Sequence, residues 1–180
     1  MKKILSFTFE AIKIVVIALA IVIPIRYFLF QPFVVNGQSM EPNFSDGNYL
    51  IVDEISYRLR DPRRGEVIVF ESPVESSRLI KRIIGLPGET IQIENDMIKI
   101  YSNDNYQILD ETEYLSEEIQ TAGGLKISLN ENEYFVLGDN RLASYDSRRF
   151  GPIFRNKIIG RVYLRAWPFD FFDKIKTPFY

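Results

Sequence analysis

From Phe33 to Trp167 the chain is a succession of short runs of β-branched and aromatic residues cut by turn formers, and this punctuation constrains the fold more than any other feature. The runs lie at 33–35 (FVV), 49–53 (YLIVD), 66–71 (EVIVFE), 79–85 (LIKRIIG), 90–94 (TIQIE), 97–101 (MIKIY), 133–138 (EYFVLG) and 158–167 (IIGRVYLRAW). Each has the length of a strand, and no helical period intervenes. Asn95-Asp96, between two alternating runs, predicts a tight hairpin, and LPGE at 86–89 predicts another turn. The fold class that follows is mainly β, built of antiparallel sheets or a barrel. A chain of 180 residues has room for one ordinary domain and a small insertion. Residues 89–120 carry nine acidic side chains against one lysine. The stretch from about 102 to 132 reads as a solvated insertion or small subdomain.

Before residue 33 the composition changes. Lys2 and Lys3 precede an apolar stretch whose uncharged centre, Ile14 to Ile25, holds 12 residues. As a helix that centre rises about 18 Å, short of a hydrocarbon core of roughly 30 Å. Continuation to Phe33, with Arg26 snorkelling to the headgroups and Tyr27, Phe28 and Phe30 at the interface, gives about 20 residues. A cleaved signal peptide needs small residues just past the apolar run, and here the flank is bulky. A buried core helix is the other competitor. The reading adopted is one uncleaved transmembrane helix within residues 1–32, with residues 33–180 forming the β domain. Lys2, Lys3 and Lys13 then place the N-terminus in the cytoplasm and the β domain outside, at the cell membrane and in contact with its lipid.

The chain contains no histidine and no cysteine. Thiol catalysis, disulfides, the Ser-His-Asp triad and most transition-metal chemistry go with them. No metal site and no cofactor is expected, and a net charge of −2 gives no reason to expect nucleic acid. Serine remains a possible nucleophile only if some other base serves it. In NGQSMEP (36–42), Ser39 is either such a nucleophile or an ordinary turn residue. In RLIKRIIGLPGE (78–89), Lys81 shares a strand face with Leu79 and Ile83, and Arg82 shares the other with Ile80 and Ile84. A buried Lys81 could act as base if its pKa fell from about 10.4 to near neutrality, roughly 4 kcal/mol of differential destabilisation of the ammonium. The alternative is a surface lysine whose stem leans on apolar neighbours.

A third segment, GDNRLASYDSRRFG (138–151), follows the strand at 133–137. Together the three segments resemble the type I signal peptidases, membrane-bound serine proteases with a Ser-Lys dyad. Ser39-Met40-x-Pro42 matches the family's serine motif, and Lys81-Arg82-Ile83-Ile84-Gly85-Leu86-Pro87-Gly88 its lysine motif. The motif GDNR-x-x-S-x-D-S-R-x-x-G is matched at every specified position from Gly138 to Gly151. The resemblance implies two antiparallel sheets around the site, the fold shared with self-cleaving repressor-type proteases. It implies Ser39 as nucleophile, neutral Lys81 as general base, and Ser144 as the hydroxyl that bonds and orients the lysine amine. Asp146 with Arg148, and Asp139 with Arg82, are implied as supports. Some members carry an oxyanion-donating serine where this chain has Gly37, which leaves the Ser39 N–H as the oxyanion donor. The implied substrates are signal peptides of secreted preproteins. An extended substrate would pair with the edges at FVV and RLI, with Val35, Met40 and Ile80 as pocket walls and small residues required at −1 and −3. Trp167, Phe169, Phe171 and Phe172 suit either a membrane-facing surface or an ordinary core.

Two rival readings use the same residues. A self-cleaving repressor-type Ser-Lys protease shares the dyad but calls for a DNA-binding helical domain and no anchor. A membrane-anchored β domain that binds secreted proteins without cutting them would have no need of Ser39, Lys81 and Ser144 together.

Overall fold

The computed structural model describes residues 2–28, 30–102, 105–116, 119–169, 172–178 and 180, with side chains before residue 31 described for 7–20 and 22 only. It opens on helix α1 (Lys2–Phe28), 27 residues that rise about 40 Å. Among the described residues no helix is long and apolar enough to cross a membrane. The expected continuation of the helix to Phe33 is not made: strand β1 (Phe30–Val34) begins two residues after α1 ends. Pro32 explains the switch, because it lacks an N–H to continue a helix yet is tolerated on an edge strand, and among the described residues β1 pairs with one neighbour only.

The remaining strands are β2 (Tyr49–Asp53), β3 (Val67–Glu71), β4 (Arg78–Gly85), β5 (Thr90–Glu94), β6 (Met97–Ser102), β7 (Asn105–Ile108), β8 (Leu125–Ser128), β9 (Glu133–Leu137), β10 (Ile153–Phe154), β11 (Ile158–Trp167) and β12 (Asp173–Lys174). They form two antiparallel sheets. The larger has the order β1-β2-β11-β3-β4-β9-β10, with β12 on β11, and the smaller the order β7-β6-β5-β8. The mainly β architecture is the one read from the sequence. The acidic stretch, expected as a solvated insertion or small subdomain, supplies β7 and β8 to the smaller sheet, with β7 exposed throughout.

Alternation explains the packing. In β5 and β6, Ile91, Ile93, Ile98 and Ile100 turn inward and join Ile84, Phe135 and Leu137 of the larger sheet. The hairpin between them turns on Asn95 and Asp96, at φ 51° and 61°, a left-handed conformation that these two residue types tolerate. In β3, Val67 and Val69 face one core, with Val35, Met40, Leu50, Ile80 and Val162. Ile68 and Phe70 face the other, with Ile83, Tyr134, Val136 and Ile158. Covered on both faces, β3 and β4 read as near-continuous apolar runs rather than alternating ones. Lys81 therefore stands on one of the driest strands of the molecule.

Candidate active site

Strand β4 carries Lys81, which is 2% exposed. Its Nζ lies 2.7 Å from Ser39 Oγ and donates to the Ile80 carbonyl at 2.8 Å. Burial pushes the ammonium down from its ordinary 10.5 to about 8, and the charges of Asp146 and Asp139 pull the other way. A surface lysine with its head in water is thus excluded. Ser39 sits half-buried on a turn between β1 and β2. The turn is braced locally, since the Gly37 N–H donates to Asp46 Oδ1 at 2.7 Å and the Phe44 N–H to the Met40 carbonyl at 2.9 Å. Gly37 has φ +83°, with nothing within 4 Å of the position a Cβ would take. Among the described residues the Ser39 N–H has no acceptor.

The loop after β9 locks onto this turn. Asn140 donates its N–H to the Ser39 carbonyl and its Nδ2 to the Gln38 carbonyl, both at 3.1 Å. Gly138 is where serine turn and loop touch. A Cβ there would stand 2.2 Å from Ser144 Oγ and 2.4 Å from the Ser39 carbonyl oxygen, so only glycine fits. Asp139, wholly buried, receives Arg82 Nε and Nη2 at 2.8 and 2.6 Å and Asn43 Nδ2 at 2.8 Å. Asp146 receives Arg148 Nε and Nη2, both at 2.9 Å, and the Gly138 N–H at 3.1 Å. Burial alone would raise the Asp146 carboxyl; the bonds and charge of Arg148 outweigh it and hold the group below its ordinary range. Asp146 also caps α2 (Ser147–Phe150) by accepting the Arg148 N–H.

Two expectations need correction. Lys81 Nζ bonds Ser39 and Ile80, while the buried Ser144 Oγ has no hydrogen-bond partner of ordinary geometry. It lies close enough to Asp146 to help lower that carboxyl, but not in bonding geometry, so its place is beside the dyad and against Gly138 rather than on the amine. Val35, Met40 and Ile80 do come together, yet at 1%, 0% and 3% exposure they form a closed aliphatic floor instead of open pocket walls. Among the late aromatics, Trp167, Phe169 and Phe172 are 50%, 71% and 60% exposed, which removes the core reading for them; Phe171 lies outside the described residues.

Two residues of the site had no role legible in the sequence. Asn43 gives its amide to both Asp139 and the Tyr114 carbonyl. Arg141, part of the GDNR run but without an assigned task, is buried and donates to the Gly138 carbonyl at 3.0 Å.

A hydroxyl in contact with a dry amine is an arrangement on which a serine hydrolase could work without histidine. Comparison with known proteins specifies it. The family model described as signal peptidase, peptidase S26, matches residues 8–167. The chain is 37% identical over 163 residues to a probable signal peptidase I-2 of Synechocystis, covering 87% of this chain and 72% of that one. It is 36% identical over 168 residues to a signal peptidase I of Bacillus caldolyticus, covering 87% and 90%. A solved signal peptidase I from Enterococcus faecalis superimposes with a TM-score of 0.48 at 31% identity, over 57% of this chain and 97% of that chain. The chain belongs to the signal peptidase family, peptidase S26, and is a hydrolase of that kind.

Proposed function

We propose that this enzyme removes signal peptides from secreted preproteins, with Ser39 as nucleophile and neutral Lys81 as general base. The observation that carries this reading is the 2.7 Å contact between Ser39 Oγ and the buried Lys81 Nζ. Once the amine has lost its proton, the Ser39 hydroxyl donates to the nitrogen lone pair across the same distance. Attack on the scissile carbonyl passes that proton to Lys81, and the free Ser39 N–H meets the developing oxyanion. Lys81 then protonates the leaving amine and afterwards draws a proton from the water that hydrolyses the acyl-enzyme. Asp139 with Arg82 and Asp146 with Arg148 hold the loop that faces the dyad.

The substrate path is supported by two open edges. Strand β9 pairs with β4 only from Arg82 onward, which leaves Arg78 to Lys81 unpaired on that side. Strand β1 is the terminal strand of the sheet, and Gln31 Oε1 lies 3.3 Å from Arg78 Nη1 across the gap. An extended chain added there presents side chains −1 and −3 to the enzyme and turns −2 away. The closed floor of Val35, Met40 and Ile80 admits only small side chains, so phenylalanine at −1 or −3 should abolish cleavage and at −2 should be tolerated.

Helix α1 is inferred to be the membrane anchor. Ile12, Ile14, Val15, Val16, Ile17, Leu19 and Val22 are about half or more exposed along it, apolar surface that lipid would cover. The lysines at its start put the β domain outside. The test of the whole reading is cleavage of a preprotein by the full chain in detergent across pH. kcat/KM should rise through an apparent pKa near 8. A pH-independent rate, or intact activity in Ser39→Ala, overturns it.

A further inference from the structure

The acidic segment between β7 and β8 does more than extend the smaller sheet. Arg141, whose side chain is fully buried, is held by Glu111 through Nη1 at 2.5 Å and Nη2 at 2.7 Å, and by Thr121 Oγ1 at 2.5 Å. Glu111 is the carboxylate that pairs this guanidinium among the described residues. Glu111 also accepts the Tyr114 hydroxyl, and its backbone carbonyl accepts the Tyr114 and Leu115 N–H groups in a turn that Asp110 starts by capping Thr112. The Tyr114 ring then lies 4.0 Å from the Arg82 guanidinium, the partner of Asp139. Leu109 and Leu115, both buried, pin the segment at each end of that turn.

Both arginines that this segment touches act on the loop facing the dyad. Arg82 grips Asp139. Arg141 donates to the Gly138 carbonyl, and its own carbonyl accepts Arg148 Nη2 at 2.7 Å. Gly138 has no slack, because its Cα abuts Ser144 and the carbonyl of Ser39. A buried guanidinium stays in place only while its partners remain, since unpaired burial of a charge is strongly unfavourable.

We infer that residues 109–116, together with Thr121, form a strap in which Glu111, with Thr121 and Tyr114, are positioning residues that set the Gly138–Ser144 loop against Ser39 through Arg141 and Arg82. This rests on the proposed Ser-Lys cleavage. The strap touches no reacting atom. Its loss shifts Gly138, and a displacement near 1 Å at a reacting group can cost about 100-fold in rate.

The test uses the full chain in detergent with a preprotein substrate, so that a wild-type enzyme that cleaves separates failure of the strap from failure of the proposed reaction. Glu111→Ala should lower kcat roughly 10- to 100-fold with KM within about twofold. The apparent pKa of kcat/KM should move, because Asp139 and Asp146 act on Lys81 from the displaced loop. Glu111→Gln, which keeps the acceptor oxygen, should recover part of kcat. Ile158→Ala, a cavity in a core of the larger sheet that holds no strap residue, is the control: it should lower Tm while leaving kcat and the pH profile near wild type. If Glu111→Ala does not fold, Glu111→Gln and Thr121→Val decide, with reduced kcat and a shifted profile expected for both. Wild-type kcat and pH profile in the folded variants, whatever happens to Tm, overturn the inference.

Discussion

Strand β4 and the turn at 36–42 each supply one atom to the same contact, and they are built on opposite terms. Around Lys81, Ile80, Ile83 and Ile84 are at most 3% exposed, and both faces of the strand are covered. The turn around Ser39 leaves Asn36, Gly37 and Gln38 in solvent and is kept in shape by hydrogen bonds to Asp46 and Asn140. The difference fits what each group would have to do in the proposed reaction. An amine becomes neutral near pH 8 only where water cannot solvate its charge, which requires a strand in the interior. A nucleophilic hydroxyl must meet a substrate backbone, which requires an accessible turn with a free N–H beside it. Dryness is the property of one partner and access that of the other.

The comparison breaks most visibly if one partner is removed. Ser39→Ala and Lys81→Ala should each lower turnover by several orders of magnitude, and the double variant should be little worse, because groups that act as a unit fail together. Single-turnover kinetics on a preprotein checks this; near-additive losses would separate the two residues into independent roles.

Next in size comes the support beneath the strand. Asp139→Ala leaves the buried Arg82 without its carboxylate and should cost about 3–5 kcal/mol of stability, read as a lower urea midpoint. A change below about 1 kcal/mol would mean that the loop, rather than the strand, sets the position of Arg82.

The dryness of Lys81 also carries a stability signature of definite sign. Below pH 8 both folded and unfolded chains hold the proton, and the folded one carries it in a dry site. Between about 8 and the ordinary 10.5 the folded state releases the proton while the unfolded state keeps it, so stability rises with pH across that window. Lys81→Met should therefore stabilise the protein at pH 7, by up to about 3 kcal/mol, and the gain should shrink as pH rises above 8. Thermal unfolding at pH 7 and pH 9.5 measures it; an equal gain at both sinks the account of the shift.

The smallest effect in the series tests the junction between loop and turn. Gly138→Ala puts a methyl group into space held by Ser144 and the Ser39 carbonyl. It should lower kcat/KM about 100-fold with a loss of stability of about 1–3 kcal/mol. Activity within twofold of wild type would show that the loop can back away from the turn without disturbing Ser39.

Much of the fold was legible because it is local chemistry. Runs such as TIQIE and MIKIY alternate, and Asn95-Asp96 between them tolerates positive φ, so the hairpin could be read from twelve residues. Strands β7 (NYQI) and β8 (LKIS) escaped notice because four mixed residues among acidic neighbours carry no period of their own. Only pairing with β6 and β5 makes them strands. The end of helix α1 at Phe28 was not legible for a similar reason, since apolarity continues through Phe30 while Pro32 changes what the backbone can do. For the site, motif resemblance brought Ser39, Lys81 and the 138–151 loop into view. It also suggested a bond from Ser144 to the amine that the packing at Gly138 does not make.

What the sequence determined by itself is what depends on residue type and near neighbours: the β periods, the hairpin, and the absence of histidine, which denies any serine its usual base. What only the tertiary structure decided depends on residues far apart in the chain. Lys81 reaches a serine 42 positions earlier, and Arg141 a glutamate 30 positions earlier. A pKa records the whole surroundings of a group. The cover that dries Lys81 comes from both faces of a sheet, and the carboxylates that temper it come from a loop more than fifty residues downstream.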